Sequence, residues 1–400
     1  MPKLAEKIGR VGESVTLAVT AKAKAMKADG VDVVAFAAGE PDFDTPAYVS
    51  AAGKKAIDAG LTRYTPASGT PELKKAVAAK LERDNGLKYD PAREIMVSCG
   101  AKHVIYNLVQ VLCGEGDEVV VPAPYWVSYP EMARLAGADP VFPAAGADQE
   151  FKLKPDQLEE AITDRTRVVI LNSPSNPTGS VYSPEELRLF AGVLVDKDVW
   201  VISDEIYEKL VYDGAEHASI AALEPELKNR TLTVNGHSKA YAMTGWRIGY
   251  AAGPAEVIKA AGSLQSHSTS GPATMCQAAA LAALVENDGG AAELAAMRTE
   301  FQARRDLIVE RLNAIEGINC VKPQGAFYVF PDVSGCFGRE IGGVKVDGSL
   351  SLCSAALETA HVALVPGVAF GEDRCVRMSF ATSTEMINKG LDRLEKLLAR

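Results

Sequence analysis

Short β-branched runs alternate with amphipathic helical stretches through the middle of this chain, and that alternation limits the possible folds more than any other feature. The runs are EIMVS (94–98), DEVVVP (117–122), DPVFP (139–143), RVVILNS (167–173), VWVIS (199–203), TLTVN (231–235) and RIGYAAG (247–253). Helix-like segments such as HVIYNLVQVL (103–112), SPEELRLFAGVLV (183–195) and PAEVIKAAGSL (254–264) lie between them. Near-continuous apolar strands separated by helices require a largely parallel sheet covered on both faces. The expectation is an α/β fold whose large domain, residues 46–295, holds a mostly parallel seven-stranded sheet between helices.

The flanks read differently. Residues 1–45 give a helix-like segment followed by VDVVAFAAGEPDFDTP, and residues 296–400 run from the charged helix EFQARRDLIVERLNAI (300–315) into GAFYVF, VALVPG and CVRMSF. Three short strands with intervening helices predict a smaller α+β domain assembled from both chain ends. The glycine-rich stretch GCFGREIGGVKVDGS (335–349) reads as a mobile loop.

Charge and cysteine usage remove whole classes of function. Against 42 Lys and Arg stand 52 Asp and Glu, a formal net charge of −10, so the chain repels polyanions and neither nucleic acid nor an anionic membrane is its main partner. The 7 cysteines contain no C-x-x-C pair and the 5 histidines show no ligand spacing, which argues against a disulfide framework and against a metal site. MPKLAEKIGRVGES has charges where a signal peptide needs an apolar block, and no run approaches the ~18 apolar residues of a membrane span. A cytoplasmic protein handling small molecules is expected.

Open parallel sheets bind ligands beyond the carboxyl ends of their strands. Here those ends carry Cys99-Gly100-Ala101-Lys102, Asn172-Ser173-Pro174-Ser175-Asn176-Pro177-Thr178-Gly179, Asp204-Glu205-Ile206-Tyr207 and Gly236-His237-Ser238-Lys239, with Arg247 shortly after. Gly100-Ala101 opening a helix suits a phosphate, although small residues at such a turn are more often turn chemistry alone. An isolated Asp204 would read as a cap or ion pair, and an isolated Lys239 as a surface lysine. Their convergence is what points further. An anion-binding turn, a carboxylate, a tyrosine, an asparagine and a lysine at one sheet edge supply what a phosphorylated heteroaromatic aldehyde needs.

The set Asn176-Pro177-Thr178-Gly179, Asp204-Glu205-Ile206-Tyr207, Ser238-Lys239 and Gly245-Trp246-Arg247-Ile248-Gly249 resembles the class I aminotransferases, pyridoxal 5′-phosphate (PLP) enzymes of fold type I. The likeness runs from Gly39-Glu40-Pro41-Asp42-Phe43 to Arg377, closest to the bacterial aspartate/prephenate aminotransferases. It implies that Lys239 holds PLP covalently and then, released by substrate, moves the proton at the substrate α-carbon. Asp204 would pair with the ring nitrogen, Asn176 and Tyr207 with the phenolic oxygen, and Trp126 would stack on the ring. Gly100, Ala101 and Arg247 would hold the phosphate, joined by Tyr64 from a neighbouring subunit, so that a homodimer shares its active sites. The segment SHSTSGP (266–272) corresponds to a loop at that interface.

By the same resemblance Arg377 and Gly39 meet the substrate α-carboxylate, and Ser14, Thr16 and Lys102 a distal carboxylate. The implied substrates are L-amino acids and 2-oxo acids: aspartate, glutamate, 2-oxoglutarate and oxaloacetate, with prephenate and aromatic substrates also open. A main activity on tyrosine, a PLP β-lyase on the same fold and a non-catalytic PLP-binding sensor are the alternatives. One departure is Gly236-His237, where many relatives have a serine and an apolar residue before the lysine. His237 either replaces the lost phosphate contact or lies against the sheet.

Overall fold

The computed structural model describes residues 5–12 and 15–399. Its large sheet has seven strands: β1 (Ile95–Ser98), β2 (Glu118–Val120), β3 (Asp139–Val141), β4 (Thr166–Asn172), β5 (Trp200–Asp204), β6 (Thr231–Gly236) and β7 (Gly249–Ala252). Their order across the sheet is β1-β7-β6-β5-β4-β2-β3. β7 alone runs against the direction of the others. Every run picked from periodicity forms a strand, and the other six point their carboxyl ends the same way.

Period-two alternation explains how a buried sheet holds two cores. Met96, Ile202 and Val234 pack on one face against Val104 and Leu108 of the helix Ala101–Leu112. On the other face Ile95 and Val97 meet Leu73 and Val77, while Val169 and Val201 meet Phe190 and Leu194. The helix Pro184–Val195 is started by a capping box, in which Ser183 Oγ accepts from Glu186 N–H at 3.2 Å and Glu186 Oε2 from Ser183 N–H at 2.7 Å.

Segments from the two ends of the chain pack together. Val34–Ala35 pairs in parallel with Val362–Ala363, and Val34 and Phe36 share a core with Phe301, Phe327, Val376 and Leu391. Val365–Pro366, Val376–Ser379 and Tyr328–Val329 form an antiparallel sheet with Val376–Ser379 at its centre. Two local expectations fail. Residues 335–349 are not a free loop: Glu340–Ile341 and Val344–Lys345 make a hairpin whose turn, Gly342-Gly343, has φ of 57° and 76°. Two consecutive positive φ values fit a tight hairpin turn, and the buried side chains of Ile341 and Val346 anchor it. The helix Ala255–Ser268 also continues through Ser266, His267 and Ser268, leaving only 269–272 of the supposed interface loop outside it.

One contact controls how closely the helix start approaches the sheet. Gly249 lies opposite Ser98 on β1, and a Cβ there would stand 2.2 Å from the Ala101 nitrogen and 2.5 Å from the Gly100 carbonyl carbon. Gly249→Ala must therefore push the helix Ala101–Leu112 off the sheet, a loss of about 3 kcal/mol. Exposed helical Gly192 has nothing within 4 Å of its notional Cβ, and Gly192→Ala should gain up to about 1 kcal/mol. Urea unfolding of the two variants reads the opposite signs directly.

Candidate active site

A cavity of about 890 Å³ opens beyond the carboxyl ends of β4, β5 and β6. Asp204, the last residue of β5, is 3% exposed. Its Oδ2 accepts from the Tyr129 hydroxyl at 2.7 Å and its Oδ1 from the Ile206 N–H at 3.2 Å. Burial pushes the carboxyl pKa up to about 6 against the opposing pull of the Tyr129 bond. Asn172, ending β4, ties the neighbouring loop to the same point: its Nδ2 donates to the Asp204 carbonyl at 3.0 Å and its Oδ1 accepts from the Asn176 N–H at 2.9 Å.

Lys239 follows β6 and is half-buried on the cavity wall. Its ammonium donates to the Gly39 carbonyl and lies 5.7 Å from the ring centre of Tyr207 and 5.5 Å from that of Phe327. Burial first, and the positive charge of Arg377 second, bring its pKa down to about 8, which Glu40 partly resists. A lysine so placed carries an appreciable neutral fraction near physiological pH and can take a proton. The Tyr207 and Tyr328 hydroxyls are 3.0 Å apart behind it.

Arg377 enters from the centre of the small antiparallel sheet and is 2% exposed. Its Nη1 donates to Asn176 Oδ1 and its Nη2 to the Ala37 carbonyl, both at 3.0 Å. The guanidinium stacks over Tyr328 at 4.6 Å and Phe370 at 5.0 Å, and its buried Nε has no partner. A buried donor left over on a cavity wall is the mark of a site waiting for an acceptor.

At another edge Gly100, with φ of 85°, starts the helix Ala101–Leu112 without a side-chain cap. Arg247 lies so close that a Cβ on Gly100 would be 2.5 Å from its Nη2, and Arg247 Nη1 is held by the Thr244 carbonyl at 2.7 Å. An open helix start beside a guanidinium forms a cradle for an anion. Lys102 Nζ sits 4.8 Å over the Trp126 ring, which packs edge-on against Tyr129 at 5.2 Å. Thr16 also lines the cavity, its hydroxyl without a hydrogen-bond partner.

The structure thus brings together Thr16, Gly39, Ala101, Lys102, Trp126, Asn176, Asp204, Tyr207, Lys239, Arg247 and Arg377 as cavity walls, with Gly100 beside Arg247. Ser14 lies outside the described residues. Tyr64 stands apart from these walls, 94% exposed. His237 turns away into the sheet, buried beside Tyr241 and Tyr250, and burial drives its pKa to about 4. It is a neutral core residue and forms no part of the cavity wall. Sequence reasoning missed Tyr129 and Tyr328, and named Asn172 at a strand end without giving it a role. Tyr129 had a signal, since it follows Trp126 by the three residues that bring two side chains to one side of a helical turn.

Residues 31–394 match the family model described as aminotransferase class I and II. The chain belongs to that family. The aminotransferase is 51% identical, over 100% of its length and 99% of the relative's, to the aspartate/prephenate aminotransferase of Cereibacter sphaeroides. It is 49% identical to the aspartate aminotransferase of Geobacillus stearothermophilus over 99% of both chains. Among solved structures, the aspartate aminotransferase from Rhizobium meliloti superposes with a TM-score of 0.95 at 46% identity, and that from Thermus thermophilus with maleate with 0.94 at 44%, each covering 100% of both chains. The protein is therefore an enzyme, a transaminase of the PLP-dependent kind, with the fold type I architecture of these neighbours.

The buried Asp204 has a measurable cost. Its folded pKa of about 6 lies above the ordinary 3.8, so the folded state holds a proton that the unfolded chain has already lost between those values. Stability from this group is complete below about pH 3.8 and is lost as pH rises through 6. The gap is worth up to about 3 kcal/mol above that. Asp204→Asn should make the cofactor-free protein more stable than the parent at pH 7.5, with the difference shrinking toward zero near pH 4. Urea titrations at the two pH values test it, and an Asn variant no more stable at pH 7.5 contradicts it.

Proposed function

We propose that the enzyme moves an amino group between L-aspartate or L-glutamate and a 2-oxo acid such as 2-oxoglutarate or oxaloacetate, in a ping-pong cycle with PLP. The observation that carries this reading is Arg377, a buried guanidinium with a spare Nε on the same cavity wall system as the depressed-pKa Lys239. The residues fit the cofactor. A buried carboxylate is available at Asp204, a phosphate cradle at Gly100, Ala101 and Arg247, and an aromatic wall at Trp126. When bound, PLP supplies an aldehyde to hold the amino group and a protonated ring that withdraws electrons from the substrate α-carbon.

The chain's own groups do the rest. Asp204 would keep the ring nitrogen protonated, and Tyr207 and Asn176 would serve the phenolic oxygen. Lys239 would take the proton from the substrate α-carbon and return it two atoms along, at the carbon that carries the cofactor's aldehyde. Arg377 orients the α-carboxylate with help from Gly39. Lys102, with Thr16 and Ser14, would meet a distal carboxylate, a reading supported by the Thermus neighbour, whose structure was solved with the dicarboxylate maleate. Prephenate enters through the Cereibacter relative's name, and aromatic substrates through the apolar wall of Trp126, Tyr207 and Tyr328.

Two further assignments belong to the same reading. Residues 46–295 form the cofactor-binding domain, while 1–45 and 296–400 close over substrate, in keeping with Thr16, Gly39 and Arg377 arriving from the ends. The enzyme is a homodimer in which Tyr64 reaches the partner's phosphate. Support comes from Tyr64, Leu61 and Ile57, exposed by 94%, 49% and 54%, an apolar surface suited to a second copy. A cytoplasmic setting agrees with seven free cysteines and with the absence, among the described residues, of a helix long and apolar enough to cross a membrane.

Aspartate with 2-oxoglutarate should yield glutamate over many turnovers, and Lys239→Ala should abolish it. Arg377→Lys should weaken the apparent affinity for aspartate ~10- to 100-fold, because the fork is lost while the charge remains. Coupled oxaloacetate detection measures both. Multiple turnovers by the Lys239→Ala protein, or pyruvate and ammonia in place of glutamate, would count against transamination.

A further inference from the structure

On the sheet face opposite the cavity lies a second set of charged groups that the proposed reaction does not use. Ser203 and Glu205 flank Asp204, and Ser203 Oγ donates to Glu205 Oε1 at 2.8 Å. Glu205 Oε2 accepts from Ser219 Oγ at 2.6 Å and stands 3.1 Å from His217 Nε2. Glu208, the residue after Tyr207, accepts from Asn85 Nδ2 at 2.8 Å and is paired with the Lys80 ammonium. Lys80 in turn donates to Asn85 Oδ1 at 2.7 Å. The side chains of Lys80, Glu205 and Glu208 are 4%, 2% and 6% exposed.

Glu205, Glu208 and His217 bring their ligand atoms within 4.8 Å of one another, a spacing a metal could use. The Lys80 ammonium and the Asn85 and Ser219 donors already occupy those carboxylate oxygens. The cluster carries its own cation. Its geometry has a different use. Within one turn, Asp204 and Tyr207 line the cavity while Glu205 and Glu208 enter the cluster, and the turn is closed by Glu208 N–H on the Glu205 carbonyl at 2.9 Å. Any shift of the two glutamates carries the other two residues with it.

We propose that Lys80, Asn85, Glu205 and Glu208 are positioning residues that lock the turn 204–208 from behind, so that Asp204 and Tyr207 keep their orientation toward the cofactor. The proposal rests on reading Asp204 and Tyr207 as contacts of the PLP ring. Every side-chain nitrogen and oxygen of these four residues is paired, and within the cluster only His217 Nδ1, at its edge, is buried without a partner; a buried polar network paired in this way is stiff.

The test compares the PLP-loaded parent with Lys80→Met/Glu208→Gln, which removes both charges together and leaves neither buried alone, and with the isosteric Glu205→Gln. Three quantities are read: the pH midpoint of the bound cofactor's visible absorbance change, kcat, and KM for aspartate. The expected result is a midpoint displaced by about one pH unit and kcat lowered ~10- to 100-fold, with KM within about twofold because Arg377 is untouched. Lys80→Arg, keeping the cation, should recover most of kcat. Variants that lose thermal stability but keep the parent's midpoint and kcat overturn the proposal, since the cluster would then only hold the fold. If the double variant does not fold, Glu205→Gln decides by the same two readouts. A parent that takes up no PLP at all would instead sink the underlying reading of the site.

Discussion

The buried carboxylate of Asp204 is the constraint around which the rest of this structure is arranged. Removing a carboxylate from water is costly unless donors or a cation replace the lost solvent. Here the replacement is partial: one hydroxyl from Tyr129 and one backbone N–H from Ile206. That is enough to keep the group in place, and too little to quench its attraction for a proton. Tyr129 is itself fixed by its edge contact with Trp126, and Asn172 fastens the adjacent loop to the same backbone position. The parallel sheet makes this possible by ending β4, β5 and β6 along one edge, where residues far apart in sequence face a single cavity.

The same economy explains Lys239. An amine in water stays charged well above neutrality. Three residues past β6 it is half-buried, with Arg377 contributing repulsion and Glu40 a weaker attraction. The balance leaves it near the point where it can give or take a proton with little driving force either way, as the proposed reversible transfer would require.

Much of this was legible in the amino-acid sequence alone. Short, near-continuous apolar runs rich in β-branched residues located all seven strands of the large sheet, and the positions at and just beyond the carboxyl ends of those strands hold Gly100, Asn176, Asp204, Tyr207 and Lys239. The hidden part depended on contacts between distant segments. Tyr328 meets Tyr207 only because the small sheet folds over the large one. Lys80 meets Glu208 only because the helix Pro71–Asn85 ends beside the turn after β5. The hairpin at 340–345 was obscured by its glycines, which signal a turn but not the buried Ile341 and Val346 on either side. The burial of His237, left open from sequence, was decided by strand alternation after β6, which points it away from the cavity.

Arg377 joins three parts of the chain, through the Ala37 carbonyl, Asn176 Oδ1 and its own strand. On the proposed reading, the portion of an amino acid common to every substrate would be met by a group that also ties the architecture together. Lys102 and Thr16, by contrast, make no such links: one leans on the Trp126 ring and the other has an idle hydroxyl. On the proposed reading the division separates what must stay constant from what can vary: the distal wall is free to change with the side chain it meets, while the grip on the shared carboxylate is built into the fold itself.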